Sequence, residues 1–91
     1  MNYSDLVTAV TWREEIMELI QLQRERDCVE YGNLRDYEGQ YEKALAAYDN
    51  ALRIDPEDAD VWYNKGETLN KMGRHAEAAK CIATAIDLYC G

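Results

Sequence analysis

Residues 59–91 read ADVWYNKGETLNKMGRHAEAAKCIATAIDLYCG, and residues 25–58 read ERDCVEYGNLRDYEGQYEKALAAYDNALRIDPED. An offset of 34 residues brings the two into register. Gly32 falls on Gly66, Gly39 on Gly73, Ala44 on Ala78 and Ala51 on Ala85. Leu45, Tyr48, Leu52 and Ile54 fall on Ala79, Ile82, Ile86 and Leu88. Small residues thus recur where chains must approach closely, and apolar residues three or four apart on both sides of a central glycine give each block a helical period. Each block is predicted to be a pair of helices. Gly39 and Gly73 follow the first helix of each pair, where a left-handed residue closes the free carbonyls at small cost. Gly32 and Gly66 lie inside the first helices, where glycine costs about 1 kcal/mol relative to alanine, so a tight crossing is expected there with Ala44 and Ala78 opposite. Asp55-Pro56-Glu57-Asp58 ends the second helix of the first pair, because the residue before proline leaves the helical region and acidic groups favour the next helix start. The fold class is all-α.

The second block carries Trp62, Tyr63-Asn64-Lys65-Gly66, Leu69, Gly73, Ala78, Ile82 and Ala85, and the first carries Cys28, Tyr31-Gly32, Gly39, Tyr41, Ala44, Tyr48, Ala51 and Pro56. This pattern resembles the tetratricopeptide repeat, a 34-residue unit of the form W-x2-L-G-x2-Y, then A-x3-F, then A and P. Cys28, Arg35, Lys65 and Cys90 stand where the family usually has Trp, Tyr, Leu and Pro, departures that alter local packing but keep the small-residue positions and the period. The resemblance implies a helix-turn-helix superhelical architecture with units at 25–58 and 59–91. It also implies a module that binds other proteins and is not an enzyme.

In this family the first helices of successive units line a concave groove. The resemblance places Arg26, Val29, Asn33, Asp36 and Tyr37 there from the first unit, with Asp60, Tyr63, Asn64, Glu67, Asn70 and Lys71 from the second. Amide side chains bond an extended backbone in both directions, and tyrosine rings add apolar area. Some family members clamp the C-terminal carboxylate of chaperone tails. Asn33 and Asn64 match two positions of that clamp, but Val29 replaces its lysine, and Glu30, Asp60 and Glu67 bring negative charge. The first unit has ten acidic and four basic residues, a net of −6, and the second has four of each, so a neutral or basic partner segment is expected.

Residues 1–24 precede the repeats. Ser4 is a candidate N-cap, followed by an apolar stripe of Leu6, Ala9, Val10, Trp12, Ile16, Met17, Leu19 and Ile20. The register does not continue the repeat, so this segment reads as a separate cap or dimerisation helix, with a break near Gln23 favoured over one helix running into the first unit. The last repeat helix is followed by Gly91 without the polar covering helix that repeat arrays need, which favours self-association or excision from a longer protein. A homodimer through Trp12, Ile16 and Ile20 with Ile82, Ile86 and Leu88 is the alternative function.

The composition sets the remaining bounds. A formal charge of −8 repels phosphate backbones and anionic membranes, which argues against nucleic acid and membrane partners. No apolar run approaches the roughly 20 residues of a membrane span, and the first residues lack the features of a secretory or transit signal, so the default location is cytoplasmic. Cys28, Cys81 and Cys90 form neither a CxxC pair nor an even set, so reduced thiols are expected and no metal or other cofactor. Cys28 and Cys81 read as packed groups and Cys90 as exposed. His75 is the sole histidine and reads as structural. Glu14-Glu15 and Glu57-Asp58 read as solvent faces or caps, leaving no catalytic candidate.

Overall fold

The computed structural model describes the backbone from Tyr3 to Gly91 and the side chains from Trp12 onward. Leu6, Ala9 and Val10 of the sequence stripe lie outside the described side chains. Four helices follow in order: α1 (Tyr3–Tyr37), α2 (Tyr41–Ile54), α3 (Ala59–Lys71) and α4 (His75–Cys90). They form two hairpins, α1 with α2 and α3 with α4, joined by the packing of α3 on α2 and on the C-terminal part of α1.

The turns follow the glycines and the proline. Gly39 and Gly73 have φ of 78° and 79°, a conformation that a Cβ disfavours. At each, the carbonyls of the preceding helix bond onward: Gln40 N–H reaches Arg35 O at 2.8 Å, and Arg74 N–H reaches Leu69 O at 2.9 Å. Between the hairpins, Asp58 caps α3 by accepting from Val61 N–H at 3.3 Å, and Trp62 Nε1–H donates to Pro56 O at 2.8 Å. The Trp62 indole thereby pins the turn to the helix it introduces.

The interior glycines mark close approach. A Cβ on Gly32 would lie 2.6 Å from Tyr48 Cε1, so the Tyr48 ring makes the nearest contact at the α1–α2 crossing. A Cβ on Gly66 would meet Ile82 Cγ1 at 2.6 Å and the carbonyl of Ala78 at 3.2 Å. Two buried clusters result. Ala44, Tyr48, Ala51, Leu52 and Val61 form one, with Cys28, Val29 and Trp62 against it; Leu45, Leu69, Ala78 and Cys81 form the other. Each cluster joins a residue of one hairpin to residues of the other, so neither hairpin completes its core alone.

Two expectations about the N-terminal segment are corrected. α1 already includes Tyr3, so Ser4 lies within the helix and not at its boundary. Nor is there a break near Gln23: α1 runs unbroken for 35 residues. Residues 16–26 hold mostly Glu, Leu, Ile, Gln and Arg with no Gly or Pro, and Gln23 Nε2–H donates to Asp27 Oδ1 at 2.8 Å, one turn on, across the site of the expected break. A helix of that length spans about 50 Å at 1.5 Å per residue, which accounts for most of the 61 Å long axis of the molecule. The helix does not fold back over the repeats, and Trp12, Ile16, Met17, Leu19, Ile20 and Leu22 are exposed.

Candidate functional site

The C-terminal part of α1 and α3 lie side by side and form a shallow depression of about 360 Å³, lined by Asn33, Asp36, Tyr37, Tyr48, Asn64, Glu67 and Lys71. Asn33, Asp36 and Tyr37 come from successive turns of α1, and Asn64, Glu67 and Lys71 from successive turns of α3, since residues three or four apart share a helix face. Tyr48 rises from α2 beneath them. It is 1% exposed, and its hydroxyl donates to Asn33 Oδ1 at 2.6 Å. Burial, with the nearby Asp36 carboxylate, raises the Tyr48 phenol to about 12, so it stays neutral and serves as a donor.

The polar groups are partly committed to one another. Asp36 accepts from Thr68 Oγ1–H at 3.0 Å and from Lys71 Nζ–H at 2.7 Å, which ties the two first helices together across 32 and 35 residues of chain. The hydrogen bond to Asp36 raises the Lys71 ammonium above its ordinary value. Asn64 Nδ2–H approaches Asn33 Oδ1 at 3.4 Å, a long and weak contact. Asn33 Oδ1 therefore faces two donors. The Asn33 Nδ2 and Asn64 Oδ1 atoms have no hydrogen-bond partner among the described residues.

Six of the eleven groove residues expected from sequence line this depression, and five do not. Val29 is half-buried and packs against the core, because it lies on the same helix face as Cys28 and Gly32. Arg26 is exposed away from the depression. Asp60 accepts a hydrogen bond from the Tyr89 hydroxyl of α4, an interaction that raises the Tyr89 phenol to about 12. Tyr63 is exposed beside the depression without lining it, and Asn70 Oδ1 lies 2.9 Å from His75 Nδ1. His75 is accordingly an exposed residue at the start of α4. Of the residues assigned to self-association, Trp12, Ile16, Ile20 and Ile86 are exposed, whereas Ile82 and Leu88 are half-buried, Ile82 against Gly66. Cys28 is half-buried, Cys81 buried and Cys90 exposed, all as free thiols.

Two residues escaped the sequence reading. Tyr48 belongs to a second helix, and its place under the depression follows from the bare Gly32 that admits its ring. Glu25 is 9% exposed, and its Oε1 has no hydrogen-bond partner among the described residues. Burial, then a hydrogen bond shared with Asp58 and the charges of Asp58 and Asp55, raise the Glu25 carboxyl to about 7, against an opposing effect of Arg26. Its position one turn before Cys28 and Val29, on the face that enters the core, is the signal that could have found it.

Among the described residues no helix is long and apolar enough to cross a membrane, and no group of three acidic, His or Cys side chains is arranged to hold a metal ion. Two family models match. One, described as TPR repeat, covers residues 32–73; the other, described as tetratricopeptide repeat, covers residues 59–89. Together they span 32–89, more than half of the chain. The chain is 40% identical over 54 residues to an uncharacterized protein of Methanocaldococcus jannaschii, a stretch that is 59% of this chain and 58% of that protein. It is 34% identical over 58 residues to Protein O-mannosyl-transferase Tmtc3 of Drosophila melanogaster, covering 64% of this chain and 6% of that protein. It is also 44% identical over 43 residues to the human Zinc finger CCCH domain-containing protein 7B, covering 47% of this chain and 4% of that protein. The chain thus spans less than two thirds of the length of each of these relatives. In the Drosophila and human proteins the likeness is confined to a short stretch of the whole. With two helical hairpins at a 34-residue period, glycines at both crossings and both turns, and matching models that together span residues 32–89, the chain belongs to the tetratricopeptide repeat family, a family of protein–protein interaction modules.

Proposed function

We propose that the depression between α1 and α3 binds an extended segment of another protein, within two repeat units at 25–58 and 59–91, and that the chain carries out no chemistry of its own. The observation that carries this reading is the pair Asn33 and Asn64. Their unengaged Nδ2 donor and Oδ1 acceptor lie side by side on facing helices, matching the alternating carbonyl and N–H groups of a peptide backbone. Tyr37, 90% exposed, supplies apolar area at the edge. Asp36 and Glu67 outweigh Lys71, which favours a neutral or basic segment in a cytoplasmic setting.

The test is selection of binding peptides from a displayed library on the intact chain, followed by titration into Asn64→Ala. Asn64 is half-buried and supports no core residue, so helicity should be unchanged while affinity falls about tenfold, roughly 1.4 kcal/mol. Unchanged affinity for every selected peptide would remove the depression as the site.

A second reading, a homodimer, rests on one observation. At 3.6 residues per turn, Trp12, Ile16, Leu19 and Ile20 fall on the side of α1 opposite the α2 side, and all four are exposed. Light scattering of the wild type and of Ile16→Glu with Ile20→Glu distinguishes the readings. A mass near twice 10.5 kDa that the double substitution halves would establish the dimer. A mass of 10.5 kDa for both would dismiss it.

A further inference from the structure

A second trough, separate from the depression, lies between the N-terminal half of α1 and the C-terminal end of α2. It measures about 480 Å³ and is lined by Met17, Glu18, Gln21, Leu22, Ile54 and Asp55. Met17 and Leu22 are more than half exposed, although they continue the helix face that packs on the core one turn later. We propose that this trough is a docking site for a cationic amphipathic segment of a partner protein, with apolar side chains on Met17, Leu22 and Ile54 and a lysine or arginine between Glu18 and Asp55.

The occupant follows from charge. No basic residue lines the trough among the described residues, and its two charged members, Glu18 and Asp55, stand on opposite walls. Glu14 lies one turn before Glu18 on the same face, and Glu25 lies one turn beyond Gln21 and Leu22. A metal ion is a poor candidate, since no three ligating side chains converge there among the described residues. A side-chain cation needs no such shell, because its stem lies on the apolar floor while its head meets the carboxylates. The trough runs for about two helical turns of α1, which suits a short helical segment.

The probe is a short synthetic helix of leucine and lysine, with a leucine–glutamate counterpart, titrated into the isotope-labelled intact chain while backbone amide signals are followed. The lysine peptide should shift the signals of residues 17–25 and 54–58. The pair Glu18→Gln and Asp55→Asn should weaken it about tenfold, and Asp55→Asn keeps the oxygen that accepts from Glu57 N–H at 3.1 Å. Leu22→Ser, at an exposed position, should weaken it comparably and leave helicity unaltered. The proposal is overturned by any of four results: shifts confined to the Asn33–Lys71 depression, equal binding of the glutamate peptide, displacement of the peptide by millimolar calcium at the same signals, or shifts of the same residues on concentrating the protein alone, which would give the trough to a second copy. Residues 17–25 and 54–58 lie outside the depression, so failure here leaves the reading of that site standing.

Discussion

One methyl group at position 32 would place a Cβ 2.6 Å from Tyr48 Cε1 and 2.8 Å from its Cδ1, against a ring that is 1% exposed and cannot swing away. Overpacking of this kind costs about 1–3 kcal/mol, and the helical preference of alanine over glycine returns about 1 kcal/mol. Gly32→Ala should therefore destabilise the chain by up to about 2 kcal/mol in urea unfolding. Gly66→Ala should be closer to neutral, because its main obstacle is the half-buried and rotatable Ile82 side chain. A reversed order would mean that the Tyr48 ring is not the fixed element of the first crossing. Glu25 makes a prediction of a different sign. Its carboxyl is raised from 4.5 to about 7 in the folded chain, so between those values the folded state holds a proton that the unfolded state has released, and stability falls as pH rises through that window. Below it both states are protonated; above it both are ionised and the loss is complete. Glu25→Gln should thus be nearly neutral at pH 4 and stabilising above pH 7, on the order of 2 kcal/mol, as read from paired urea curves. Gly32 and Gly66 were legible in the sequence as crossings, since a glycine repeated inside two helices weakens both unless a neighbouring element needs the space of its missing side chain. For Glu25 the sequence offered only a place on the core-entering face of α1, because burial of a carboxyl depends on which neighbours surround it.

α1 combines two environments in one helix. From Glu25 to Asp36 it packs on α2 and α3, whereas from Trp12 to Leu22 its apolar residues are exposed. Amide hydrogen exchange should accordingly show residues 28–36 protected to near the global stability and residues 12–22 exchanging orders of magnitude faster. Equal protection along the helix would mean that another surface covers the N-terminal half in solution. The continuity of α1 was misjudged from sequence for a definable reason. The repeat register is lost before Glu25, and a loss of register suggests a boundary. Helix propagation, however, responds to local propensity and hydrogen bonding, and residues 16–26 satisfy both. The turns were legible because Gly39, Gly73 and Pro56 act through backbone conformation alone.

The two hairpins share one core. Leu45 of α2 clusters with Leu69, Ala78 and Cys81, Val61 of α3 joins Tyr48 and Leu52, and Lys65 Nζ meets Asp49 Oδ1 at 2.7 Å across the same junction. Stability of such an array is set by the interface as much as by the units. Leu69→Ala, at a residue 2% exposed, should cost about 2–5 kcal/mol and lower the midpoint of signals from both hairpins together. Loss of order in α3 and α4 with α1 and α2 intact would show that the hairpins fold separately. The 34-residue period, the small residues at the crossings, the turn glycines and the all-helical class could be read directly from the chain, because each is enforced by steric and backbone rules that act within a few residues. The tertiary structure alone decided which carboxyl is buried, which asparagines meet across α1 and α3 and that Tyr48 floors the depression. Those outcomes depend on distance and solvent exclusion between residues far apart in the chain, and the order of amino acids carries no local record of either.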